Sequence, residues 1–78
     1  MVNVNEIGMR IKFYRNKIGW SQKTLGNRLG YPNPVAKQMI YNWETGRRIP
    51  SIENLNQLSL QLNCSIKELI DNGRISIY

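Results

Sequence analysis

Three stop-and-restart signals divide this chain: Gly19-Trp20-Ser21, then Leu29-Gly30 followed by Tyr31-Pro32-Asn33-Pro34, then Gly46 followed by Pro50-Ser51. Each joins a residue suited to end a helix with one suited to open the next, because glycine accepts the left-handed conformation, proline cannot continue a helix and serine caps the free N–H groups of a new one. The segments between them have helical length, and no interior run reads as a strand. The densest signal, Trp43-Glu44-Thr45-Gly46-Arg47-Arg48-Ile49-Pro50-Ser51, closes one helix and opens another within nine residues.

Apolar spacing fills in the helices. Ile7, Ile11, Tyr14 and Ile18 recur on one stripe, with Arg10, Lys12, Arg15 and Lys17 largely outside it, which predicts an amphipathic first helix ending near Gly19. Ser21 caps a short second helix that buries Leu25 and Leu29 and ends at Gly30 in the left-handed conformation. Gly26 within it costs about 1 kcal/mol of helix propensity relative to alanine. That is either an incidental weak spot or a sign that another helix crosses closely.

Beyond the Pro32 and Pro34 break, a third helix begins near Pro34 or Val35. It places Ala36, Ile40 and Trp43 on one face and Lys37, Gln38, Tyr41 and Asn42 on the other. Ser51 caps a fourth helix with Leu55, Leu58 and Leu62 on a shared face. Ser65 and Glu68 form a capping box for a last short helix through Ile66, Leu69 and Ile70. The prediction is all-α, five helices. Val2–Asn5 and Arg74–Tyr78 alternate like strands, and either pairs across a dimer or frays.

Charge and composition bound the function. Eleven Lys and Arg face five Asp and Glu, for a net charge of +6. Arg10 to Arg48 holds nine of the bases and one acid, net +8, leaving −2 elsewhere. A field concentrated in this way favours a polyanion, nucleic acid or an anionic membrane surface, over a merely solvated basic face. Enzyme chemistry is disfavoured: the chain has no histidine, no clustered carboxylate pair and no glycine-rich phosphate loop, and a 78-residue core leaves little room for a deep pocket. The single cysteine, Cys64, forms no internal disulfide, and without histidine a nitrogen-sulfur zinc site is out of reach. We expect no metal and no cofactor. The amino terminus lacks the basic start and apolar stretch of a signal peptide, and no run approaches the roughly 18 apolar residues of a membrane span. A cytoplasmic location fits these features.

From Ile7 to Ile70 the chain resembles the lambda-repressor-like helix-turn-helix family, the Cro/CI or xenobiotic-response-element type of bacterial and phage regulators. The resemblance rests on Ile7-Gly8-x-Arg10-Ile11-Lys12-x-x-Arg15, Gly19-x-Ser21-Gln22-x-x-Leu25, Leu29-Gly30, Trp43-Glu44-x-Gly46-x-Arg48-x-Pro50-Ser51 and Glu53-Asn54-Leu55. One departure stands out. Gly30 to Trp43 is thirteen positions, longer than is usual in the family, with the extra residues at Tyr31 to Pro34. Either they only enlarge the turn, or they tilt the third helix and bring Tyr31 or Asn33 into contact.

The resemblance implies a compact five-helix domain over residues 1–78, with a helix-turn-helix core at about 6–71 and terminal segments 1–5 and 72–78 that are flexible or dimer-forming. It implies a double-stranded DNA partner and a homodimer on half-sites about 34 Å apart. Groove geometry assigns base reading to Lys37, Gln38, Tyr41 and Asn42, with the amides suited to adenine and Lys37 to guanine or phosphate. Ser21 and Gln22 resemble the family's phosphate clamp at a helix start. Lys23, Asn33, Arg47 and Arg48 are further candidate phosphate contacts. Arg10 and Glu44 resemble the ion pair that ties the first helix to the third. Trp43 is expected to close the core, and Trp20 to plug the corner between the first two helices. The expected function is sequence-specific transcriptional regulation, repression more than activation. The competing reading is a protein-interaction module, such as an antitoxin or co-regulator, on the same fold.

Overall fold

The computed structural model describes residues 4–70, with side chains from residue 6. Five helices follow one another: α1 (Val4–Ile18), α2 (Gln22–Arg28), α3 (Val35–Glu44), α4 (Ile52–Leu62) and α5 (Ile66–Ile70). No strand occurs among the described residues. Val4 and Asn5 lie in α1, so the strand-like alternation of Val2–Asn5 gives way to helix there. The segment 74–78 lies outside the described residues.

The caps form as their residues dictate. Ser21 and Ser51 are extended N-caps whose hydroxyls accept from the N–H groups of Thr24 and Asn54 at 3.0 and 3.1 Å. The Ser65 and Glu68 capping box is reciprocal: each side chain takes the other's backbone N–H, at 3.0 and 2.8 Å. Helix α2 closes with Gly30 donating to Asn27 and Tyr31 donating to Gly26, and Gly30 has a φ of +99°. Asn63 ends α4 in the left-handed conformation with a φ of +56°.

Ile7, Ile11, Leu25, Ile40, Trp43, Leu55, Leu58, Leu62 and Leu69 form one buried cluster drawn from all five helices. Full burial of such side chains contributes about 1.5 to 3 kcal/mol each against conformational entropy. Two members of the α1 pattern depart from expectation. Ile18 is 40 % exposed, at the last position of α1. Arg15 is 7 % exposed, on the line that continues Ile7 and Ile11 at four-residue steps.

Helices cross closely where glycine permits. A Cβ on Gly26 would sit 2.7 Å from the Ala36 carbonyl carbon, so α2 and α3 touch backbone to backbone. The weak spot in α2 is therefore a crossing point. A Cβ on Gly8 would stand 2.5 Å from the Glu44 carbonyl oxygen, an equivalent crossing of α1 over the end of α3. Cys64 is half-buried, and burial together with the nearby Glu68 carboxylate pushes its thiol up to about 11.

Candidate nucleic-acid interface

The turn between α2 and α3 decides what α3 can present. Tyr31 points inward, its ring edge-on to Trp43 at 6.2 Å and its hydroxyl 3.5 Å from the Asn54 side chain. Ala36 N–H donates to the Pro32 carbonyl at 2.9 Å, which draws the turn back onto the start of α3. The turn includes a cis Asn33-Pro34 bond. Gly26 still seats against Ala36. The extra residues thus enlarge the turn while the α2–α3 crossing stays tight, and Tyr31 belongs to the core side.

The inward face of α3 is Ala36, Ile40, Trp43 and Glu44, all buried. Lys37, Gln38 and Tyr41 are exposed and Asn42 is half-exposed on the other side. Gln38 Nε2 donates to Asn42 Oδ1 at 3.0 Å, one helical turn on. The Arg47 guanidinium stands 6.0 Å from the Tyr41 ring centre, at the outer range of a cation–π contact.

Two shallow grooves run between the start of α2 and the start of α3. Arg15, Ser21, Gln22, Lys23 and Lys37 line one, and Lys23, Asn33, Pro34 and Lys37 line the other. Lys23 and Lys37 border both. These lysines, Ser21 and Asn33, scattered over seventeen positions of sequence, therefore share one surface. Arg47 and Arg48 are exposed just past α3, and both of their N–H groups donate to the Asn42 carbonyl, at 2.9 and 3.1 Å.

The ion pair joining α1 to α3 is made by Arg15, which corrects the expectation placed on Arg10. Arg15 Nε donates to Glu44 Oε2 at 2.6 Å and its terminal nitrogen to Oε1 at 3.0 Å, with both side chains almost fully buried. Arg10 sits 3.9 Å from Glu6, one turn back on its own helix. Helix geometry explains the difference: five residues separate Arg10 from Arg15, about 140° around the axis, so both cannot face α3. The four-residue steps Ile7, Ile11 and Arg15 are the signal for this pairing: Arg15 continues the buried line, although its charge alone points to solvent.

Glu44 also binds Gln22, whose Nε2 donates to Oε1 at 3.0 Å. The Gln22 side chain is thus committed inward. Arg15 further donates to the Trp20 carbonyl at 2.8 Å, fixing the α1–α2 corner. Trp20 is half-buried there, covered by the Arg28 guanidinium at 4.4 Å. Trp43, 2 % exposed, is a core residue.

Geometrically the surface combines a polar helix face, a capped helix start and flanking cations, which is the equipment for meeting a phosphate-rimmed groove. Among the described residues no helix is long and apolar enough to cross a membrane. Searches of curated proteins and of solved structures return no match. A helix-turn-helix family model does match, over residues 11–69, well over half of the chain. The chain therefore belongs to the lambda-repressor-like, Cro/CI type of helix-turn-helix family, whose members are DNA-binding regulators.

Proposed function

We propose that this chain binds double-stranded DNA sequence-specifically and regulates transcription, as a repressor, from a symmetric dimer on a palindromic site. Residues 1–78 act as one DNA-binding domain in this reading, working in the cytoplasm. The observation that carries it is the outward face of α3, with Lys37, Gln38, Tyr41 and Asn42 beside a surface bordered by Lys23, Asn33 and Ser21. The major groove admits one helix and offers each base pair a distinct donor and acceptor pattern.

Amides and a lysine on one face suit that pattern. Ser21 and the free N–H groups at the start of α2 meet a phosphate, aided by the helix dipole. Lys23, Arg47 and Arg48 neutralise further phosphates without reading sequence. Arg15, Glu44 and Gln22 hold α1, α2 and α3 in the arrangement that aligns these groups.

Selection from a randomised duplex library at near-physiological salt tests the reading. Enrichment of a palindrome with half-sites about 34 Å apart supports a dimeric sequence-specific regulator. Recovery of unenriched DNA reduces the function to nonspecific binding through the basic face. No recovery at all shifts the assignment to a protein partner.

A further inference from the structure

The hydrogen bond between Gln38 and Asn42 divides the labour of two side chains that composition alone treats alike. A glutamine reads adenine with its carbonyl oxygen, which accepts from the N6 amine, and with one N–H, which donates to N7. Its carboxamide carries two N–H donors, so one is spare in that pose. Asn42 Oδ1 takes a donor of this amide at 3.0 Å. The bond can therefore persist while Gln38 reads a base, and it restrains a flexible side chain whose ordering would otherwise weaken binding.

For Asn42 the same bond fixes where its side chain lies: Oδ1 is turned toward Gln38, one helical turn back along α3. Neighbouring contacts leave this pair undisturbed: the Asn42 backbone carbonyl, and not its side chain, holds Arg47 and Arg48.

We propose that Asn42 is a positioning residue of α3, whose side-chain oxygen holds the Gln38 amide in the pose that reads adenine. This rests on the reading of α3 as the groove-inserted helix.

The test uses the full chain and the site selected from the randomised library, with 7-deazaadenine, which lacks the N7 acceptor, substituted at each selected adenine in turn. One position is expected to weaken binding about tenfold for the unaltered protein. That response should vanish in Gln38→Ala and shrink several-fold in Asn42→Ala. It should return in Asn42→Asp, which restores the acceptor while lowering affinity on all duplexes through its charge. A helical circular-dichroism spectrum and a cooperative thermal transition like those of the unaltered protein show that each variant is folded.

An undiminished 7-deazaadenine response in Asn42→Ala overturns the positioning role, and a response that survives Gln38→Ala overturns the reader. A selected site with no adenine dependent on Gln38 defeats this inference alone. Failure to enrich any sequence defeats the sequence-specific reading itself, and this inference with it.

Discussion

Arg15 and Glu44 face each other across the α1–α3 contact through two hydrogen bonds, at 2.6 and 3.0 Å, with the Glu44 side chain 2 % exposed. A carboxylate at that depth is tolerable only because a bidentate guanidinium and the Gln22 amide satisfy it. Removing either charge leaves the other buried and alone. Arg15→Ala and Glu44→Ala are each expected to lose about 3 to 5 kcal/mol, a large part of the stability of so small a domain. Arg10→Ala should cost less, because its pair with Glu6 is a one-turn contact at 3.9 Å and its other loss is the packing of a largely buried stem. Urea unfolding of the three variants checks the ranking, and equal losses for Arg10 and Arg15 would contradict it.

Gly26→Ala sets propensity against packing. Alanine favours helix by about 1 kcal/mol, yet its Cβ would press into the Ala36 backbone, which has no flexible end to yield. Net destabilisation of roughly 1 to 3 kcal/mol is expected, with Gly8→Ala behaving alike. A rise in melting temperature for either variant would mean that the helices can part without loss.

Arg48→Ala and Gln38→Ala should separate by salt and by sequence. Loss of one phosphate contact lowers the slope of log K against log salt by about 0.9 and weakens specific and random duplexes alike. Gln38→Ala should leave that slope nearly unchanged and weaken the preferred site by about tenfold more than random DNA. Binding titrations at three salt concentrations distinguish them, and equal losses for Gln38→Ala on both duplexes would reject it as a base reader.

Cys64 should be slow to alkylate. Burial first, and then the Glu68 charge, raise its thiol from 9.0 to about 11, so the folded protein holds the proton that the unfolded chain releases. The raised value makes its contribution to stability fully present below about pH 9 and lost as pH climbs toward 11. Iodoacetamide labelling followed from pH 7 to 11 should accelerate late in the folded protein and near pH 9 in denaturant. Rapid labelling of the folded protein at pH 8 would show the thiol to be open.

Much of the architecture was legible because its signals are local. Ser21, Ser51 and the Ser65 and Glu68 box each act within one turn, and Leu55, Leu58 and Leu62 mark their face by spacing alone. What could not be read directly depends on distance through space. The choice of Arg15 over Arg10 for Glu44 turns on which side of α1 meets α3. The inward commitment of Gln22 depends on the same carboxylate, and the crossing at Gly8 on where α3 ends. Which of Gln38 and Asn42 donates to the other is a matter of side-chain orientation, which residue type leaves open.

The carbonyl of Asn42 receives the N–H groups of both Arg47 and Arg48, while its side-chain oxygen accepts from Gln38. Every amino acid supplies that carbonyl, so the arginines keep their anchor whatever side chain stands at position 42. On the proposed reading of α3, an uncharged replacement of Asn42 alters the reading face and leaves the backbone seat of the two arginines in place.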